Sequence, residues 1–226
     1  MVIANLNTNQ RAALWALLLA TVPTLAINLN YLIAASEASV PWCVPYWDSC
    51  TSISATGRHG LAYYFFKLTM LPVAAIYWLY WQDVQRSLEK HGYAGKHIFL
   101  LGRVAVIALL AYVLALGAAG DSLQLTRRIG IIFYFTFTYL CQLLVLYQSR
   151  RLALPAGNSS RQAALLLLIL CIGVLTLILD SLMQDYDRVE DAFEWNIALL
   201  LHGNFLLAAI YWRQLDDKPA STTNLI

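Results

Sequence analysis

Six long apolar runs, at about 12–35, 61–82, 98–119, 129–147, 163–183 and 192–212, set the pattern of this chain, with short polar stretches between them. A helix crosses the hydrocarbon core of a bilayer in about 20 residues, and each run is long enough to do so. None of the runs alternates polar with apolar residues as a barrel strand would, so helices must satisfy the backbone inside the membrane. Connections of roughly 8 to 25 residues leave no room for a separate soluble domain. The expectation is an all-α membrane protein, a single domain over residues 1–226 built as a bundle of six transmembrane helices.

Composition agrees: 60% of the residues are hydrophobic and 12% charged, against about 25% charged in soluble domains. The net charge of +2 is too small to argue for a nucleic-acid partner, and no binding motif supports one. The distribution of basic residues matters more, because Lys and Arg in short loops set orientation. With both termini cytoplasmic, the inner side carries Arg11, Arg86, Lys90, Lys96, Arg150, Arg151, Arg161, Arg213 and Lys218, and the outer side Arg58, Arg127, Arg128 and Arg188. Nine against four favours that orientation, in a bacterial inner membrane or a membrane of the eukaryotic secretory pathway. The first run is about twice the length of a signal-peptide core, and Asn7 and Asn9 stand where a basic cluster would precede one, so it reads as a retained helix.

The stretch "CVPYWDSCTSISATGRHG" at 43–60 then falls on the outer face. It is crowded with hydroxyls, and its Cys43 and Cys50 face an oxidising compartment, where a disulfide and two free thiols are both open readings. Trp42, Tyr46 and Trp47 suit the headgroup layer, and Gly57 suits a turn closed to other residues. The expectation is a loop folded inward over the helix ends. Cys141 and Cys171 lie within spans, and four scattered cysteines make no zinc spacing, so no metal or other cofactor is expected.

Ionisable groups inside spans are functional suspects. Lys67, Asp180, Glu194 and His202, with Asn28 and Asn30, gather in the outer half, whereas the inner half offers chiefly Gln142 and Arg103, the latter able to snorkel to the interface. This asymmetry predicts an outward-facing polar vestibule in which Asp180 or Glu194 neutralises Lys67; a purely structural ion pair is the plainer alternative. Pro23 and Pro72 read as kinks within spans. "AAIYW" occurs at 74–78 and 208–212, near the inner ends of two spans, where an aromatic belt explains it.

The segments "VPYWDSCTSISATGRHG", "VAAIYWLYWQ" and "RVEDAFEWNIALLLHGNFLLAAIYW" resemble the Frag/DRAM/Sfk family of six-span proteins, which includes factors that remodel GPI-anchor lipids. The family pattern maps onto Pro45, Ser52, Ser54 and Gly57 in the first outer loop, and onto Glu194-Trp195, His202 and Tyr211-Trp212 near the last span. The resemblance implies a membrane protein concerned with lipids or glycolipids, in which the first outer loop meets the start of the last helix.

The expected function is therefore lipid handling: binding, and in a further step remodelling, a phospholipid or GPI-like glycolipid headgroup at the outer leaflet. Arg58 and Lys67 would hold a phosphate. Asn28, Asn30, Ser52 and Ser54 would bond sugar or glycerol hydroxyls. If acyl transfer occurs, His59 or His202 is the general base, oriented by Asp180 or Glu194. A non-enzymatic membrane regulator or scaffold is the alternative, and an ion-coupled transporter using Lys67, Asp180 and Glu194 a third. No protein partner can be named.

Overall fold

A computed structural model describes residues 5–118, 120–152, 154 and 159–216; Lys218, counted above among the inner basic residues, lies outside the described residues. The elements are α1 (Thr8–Ser36), α2 (Pro45–Asp48), α3 (Ile53–Thr56), α4 (Gly60–Lys90), α5 (His97–Ala115), α6 (Asp121–Arg151), α7 (Ser159–Leu182) and α8 (Asp187–Asp216), with no strand among the described residues. Six of these helices are long and apolar enough to cross a membrane, and the protein is an integral multi-pass membrane protein. With six crossings, α1 begins and α8 ends on one side, here the terminal face. The segments at 37–59, 116–118 and 183–186 lie on the opposite, loop face.

Several spans outrun their apolar cores. α4 continues through "QDVQRSLEK" to Lys90, and α6 starts eight residues before its apolar run, at Asp121. Good helix formers such as Gln, Arg, Leu, Glu and Lys carry the first of these extensions. α1 opens on a capping box in which Asn7 and Gln10 exchange side-chain and backbone bonds (2.9 and 3.2 Å). α1 and α4 run unbroken through Pro23 and Pro72.

Around the bundle, α1 packs between α4 and α8, α4 meets α5, α5 meets α6, and α7 completes the circuit against α6 and α8. The core is aromatic. Tyr77, Tyr80 and Trp81 of α4 meet Phe205 of α8 edge-on, with ring centroids 5.4, 5.3 and 6.1 Å apart, and such pairs contribute about 0.5–1.5 kcal/mol each beyond area burial. The two "AAIYW" copies belong mostly to this core and not to a headgroup belt: Ala74, Tyr77, Ala208, Ala209, Tyr211 and Trp212 are all buried. Tyr77 and Tyr134 hydroxyls pair at 2.6 Å, and Trp212 Nε1 donates to Tyr80 Oη at 3.4 Å. Ala75 and Ile210 are exposed, and Trp78 is half-buried, edge-on to Phe99, with the Arg103 guanidinium against both rings (4.5 and 4.4 Å to the ring centroids).

The terminal-face half is also far from apolar. Asp83 of α4 is 4% exposed and accepts from Arg11 Nε (3.0 Å), Arg11 Nη2 (2.9 Å) and Trp15 Nε1 (3.1 Å), all on α1. Ser87 donates to Asn9 Oδ1 at 2.6 Å and Lys90 to Thr8 Oγ1 at 2.8 Å. This network corrects the expected asymmetry. Arg11 and Asp83 flank the apolar runs, so a reading bounded by those runs assigns them to the loops.

α7 is held at one end only. Its buried residues are Ser159, Gln162, Leu166 and Ile169, all in its first half, where Leu166 and Ile169 join Leu146 of α6 and Leu201 of α8. The same helical stripe continues to Gly173 and Thr176, which are only half-buried. A Cβ placed on Gly173 would meet nothing within 4 Å. Toward the loop face, α7 is therefore only loosely packed.

Candidate functional site

The 43–59 segment folds as a lid across the ends of α1 and α8. Proline at its first position starts α2, and Ser52 caps α3 by accepting from Ala55 N–H at 3.0 Å. Cys43 and Cys50 are joined in a disulfide that closes the loop around α2. From α1, Tyr31 Oη accepts from Cys43 N–H (2.8 Å), and Asn30 Nδ2 donates to Thr56 Oγ1 (2.9 Å). Asn28 and the Tyr46 hydroxyl bond one another at 2.9 and 3.3 Å. Burial raises the Tyr46 pKa above its ordinary value, so the phenol stays neutral and keeps this contact. From α8, Trp195 Nε1 donates to Thr51 O (2.8 Å), Asn196 Nδ2 to Tyr46 O (2.9 Å), and Ala192 N–H to Ser49 Oγ (3.1 Å).

Two glycines let the lid close. Gly60 takes a φ of +60° where α4 begins, and Glu37 at the end of α1 accepts from Leu61 N–H at 2.8 Å. Gly57 has an ordinary φ of −101°, so its role is space: a Cβ there would lie 2.7 Å from Leu116 Cδ2 and 3.1 Å from Phe66 Cγ. Trp42 and Trp47 point outward, the latter 86% exposed, as side chains meant for a headgroup layer would.

These contacts reassign most of the expected ligand residues. Asn28 and Asn30 hold the lid to α1. Ser52 caps α3 and touches Ser54 (3.1 Å), which accepts from Arg58 Nη2 at 3.1 Å. Lys67 faces α5: its ammonium donates to Tyr63 Oη (2.6 Å) and Leu114 O (3.4 Å) and lies 4.3 Å from the Tyr63 ring centre. The expected pair with Asp180 or Glu194 is not formed: the Lys67 ammonium is turned to Tyr63 and α5, and Asp180 is exposed at the end of α7.

The histidines are equally dispersed. His59 is exposed at the start of α4 and makes no side-chain cap. His202 lies eight residues beyond Glu194 on α8, about 12 Å along the axis, and its Nδ1 meets Thr24 Oγ1 at 3.1 Å. The Thr24 hydroxyl also reaches Ala20 O at 2.8 Å. With that hydrogen on the carbonyl, His202 Nδ1–H is the donor, and the pair ties α1 to α8 without activating a nucleophile.

What gathers around the end of the lid is a different set. Arg58 lies within electrostatic reach of Arg127 on α6 and of Asp191 and Glu194 on α8. Tyr112 of α5 lies within reach of Arg58, Arg127 and Glu194. Glu194 faces the Ile53 amide of α3 as well. Arg58 Nε and the Tyr112 hydroxyl are shielded from solvent and have no hydrogen-bond partner, although such groups are almost always satisfied in folded proteins. Asp191, Ala192, Phe193 and Glu194, at the loop-face end of α8, are half-buried. Arg127, Asp191 and Tyr112 escape a reading of the sequence because the first two sit in polar flanks and the third in an unbroken apolar run.

No family model, curated protein or solved structure matches this chain. The resemblance to the Frag/DRAM/Sfk proteins therefore rests on the quoted segments, and two of these, the lid and the start of α8, are in contact.

Proposed function

We propose that this protein binds a membrane phospholipid or glycolipid by its headgroup at the loop face, with the acyl chains leaving sideways past the loosely packed half of α7. The observation that carries the reading is the set of arginines, carboxylates and an unpartnered tyrosine hydroxyl gathered at the end of a tied-down lid, on the loop face where α7 is loosely packed. Arginine suits phosphate because its planar fork makes two parallel charge-assisted bonds. The proposal is for recognition. A remodelling step of the kind the resemblance implies needs a base beside a nucleophile, and neither His59 nor His202 is so placed.

Native mass spectrometry of protein purified in mild detergent tests this reading. Each hydrogen bond to a charged group is worth about 1.5–3 kcal/mol, so Arg58→Ala with Arg127→Ala should lower retained lipid about tenfold or more. His59→Ala should leave it unchanged. A folded Arg58/Arg127 double variant that keeps its full complement of lipid would overturn the proposal.

We infer further that both termini face the cytoplasm and the lid the outer or lumenal side, from the nine-to-four split of basic residues. After mild reduction of intact cells, a membrane-impermeant thiol reagent should label Cys43 and Cys50. It should not label a cysteine substituted for Ala94 in the 91–96 connection. The reverse pattern would invert the assignment.

A further inference from the structure

The charges around the end of the lid come in two pairs of opposite sign. Arg58 stands in the lid itself, two residues before α4, and Arg127 on α6, while Asp191 and Glu194 lie on one face of α8, three residues apart. Each lies within electrostatic reach of Arg58, yet no ion pair closes between the two sets. The ion pairs among the described residues are Arg11–Asp83, Arg86–Asp83 and Arg188–Asp185. Charges at a half-buried site call for compensation at close range, and here neither set meets the other within ion-pair distance. Tyr112, 1% exposed and with its hydroxyl unpartnered, lies within electrostatic reach of both arginines and of Glu194.

The chemistry of the occupant follows from this division. An anionic headgroup would suit the arginines but would face two carboxylates, with Glu190 within reach of both. A neutral glycan would leave both signs uncompensated. A dipolar headgroup answers each set with its opposite.

Taking the lipid-binding reading above as its basis, we propose that the site selects a zwitterionic phospholipid, its phosphodiester against Arg58 and Arg127, its ethanolamine or choline cation against Asp191 and Glu194, and the Tyr112 hydroxyl donating to a phosphate oxygen. Specificity then has a repulsive element, since the carboxylates turn away headgroups whose charge is only negative.

The test offers the full-length protein an equimolar mixture of phosphatidylethanolamine, phosphatidylcholine and phosphatidylglycerol with matched chains, and reads the bound species by native mass spectrometry. The zwitterionic lipids should exceed phosphatidylglycerol about tenfold, because like charges set against one another at a desolvated contact are strongly disfavoured. Asp191→Asn with Glu194→Gln should bring phosphatidylglycerol level with or above the others while total lipid is kept by the arginines. Asp191→Asn alone, which spares the Ile53 contact, should move the ratio the same way by a smaller factor and serves if the double variant unfolds. Equal retention of all three lipids by the wild type, or a variant with an unchanged ratio, overturns the zwitterion assignment and leaves lipid binding standing. Wild-type protein that retains no lipid overturns lipid binding itself. Water-soluble glycerophosphoethanolamine at equal concentration should leave the bound lipid in place; displacement would make the free diester the ligand and overturn a membrane source.

Discussion

Replacing Asp83 with alanine is expected to destabilise the protein by about 3 kcal/mol, the low end of the range for breaking a buried ion pair. The carboxylate accepts two bonds from one Arg11 guanidinium and a third from Trp15, and Arg86 Nη1 lies 3.6 Å away. Without it, a cation and an indole N–H on α1 lose their partner at once. The low end applies because the Arg11 side chain keeps 27% of its exposure, so water can reach part of the orphaned charge. Adding Arg11→Met should recover part of the loss, since the pair is then removed as a unit. Lysine at position 11 should not substitute for arginine, because it cannot present the planar two-bond fork. Thermal unfolding in detergent gives the comparison; an Asp83→Ala protein that melts with the wild type would show the network to be idle.

Trp195→Ala should cost about 3–5 kcal/mol, the usual result of deleting a fully buried tryptophan. Trp195 is 0% exposed, meets Tyr31 and Tyr46 edge-on at 6.2 and 5.1 Å, and donates to the Thr51 carbonyl. It is the point where α1, the lid and α8 come together. Trp195→Phe keeps most of the ring contact and loses the hydrogen bond, so about 1–2 kcal/mol is expected. Limited proteolysis separates this role from general core packing. The alanine variant should be cut within 43–59 under conditions in which a core variant of similar melting temperature, such as Phe205→Leu, is not. Equal protection of the segment in both proteins would detach Trp195 from the lid.

The helices were readable because six long apolar runs have few other solutions in a bilayer, and the inward fold of the lid was readable from its aromatic and hydroxyl content. Which side chains hold the lid and which are left over was not. Asn28 and Asn30 look identical to ligand-binding asparagines until Tyr46 and Thr56 are seen to occupy them. Lys67 looks like a partner for any acid in the same half of the membrane, but helix rotation turns it to Tyr63 and Leu114. Asp83 and Arg11 were hidden by their position beyond the apolar runs. Tyr112 carries no mark at all within "ALLAYVLALG"; only the fold brings Arg58, Arg127 and Glu194 within reach of its unpartnered hydroxyl.

The lid's bonds also impose an order on biosynthesis. Its contacts with α1 are local, spanning 12 to 26 residues of chain, as with Tyr31–Cys43 and Asn30–Thr56. Its contacts with α8 span 143, 144 and 150 residues. At ribosomal rates of about 5–20 residues per second, the lid waits roughly 7–30 s for its second anchor. During that interval it is half-tethered, with the Thr51 and Tyr46 carbonyls lacking their partners from α8. A nascent chain that stalls before its last helix therefore displays an unlatched lid at the loop face, and only the arrival of α8 closes it.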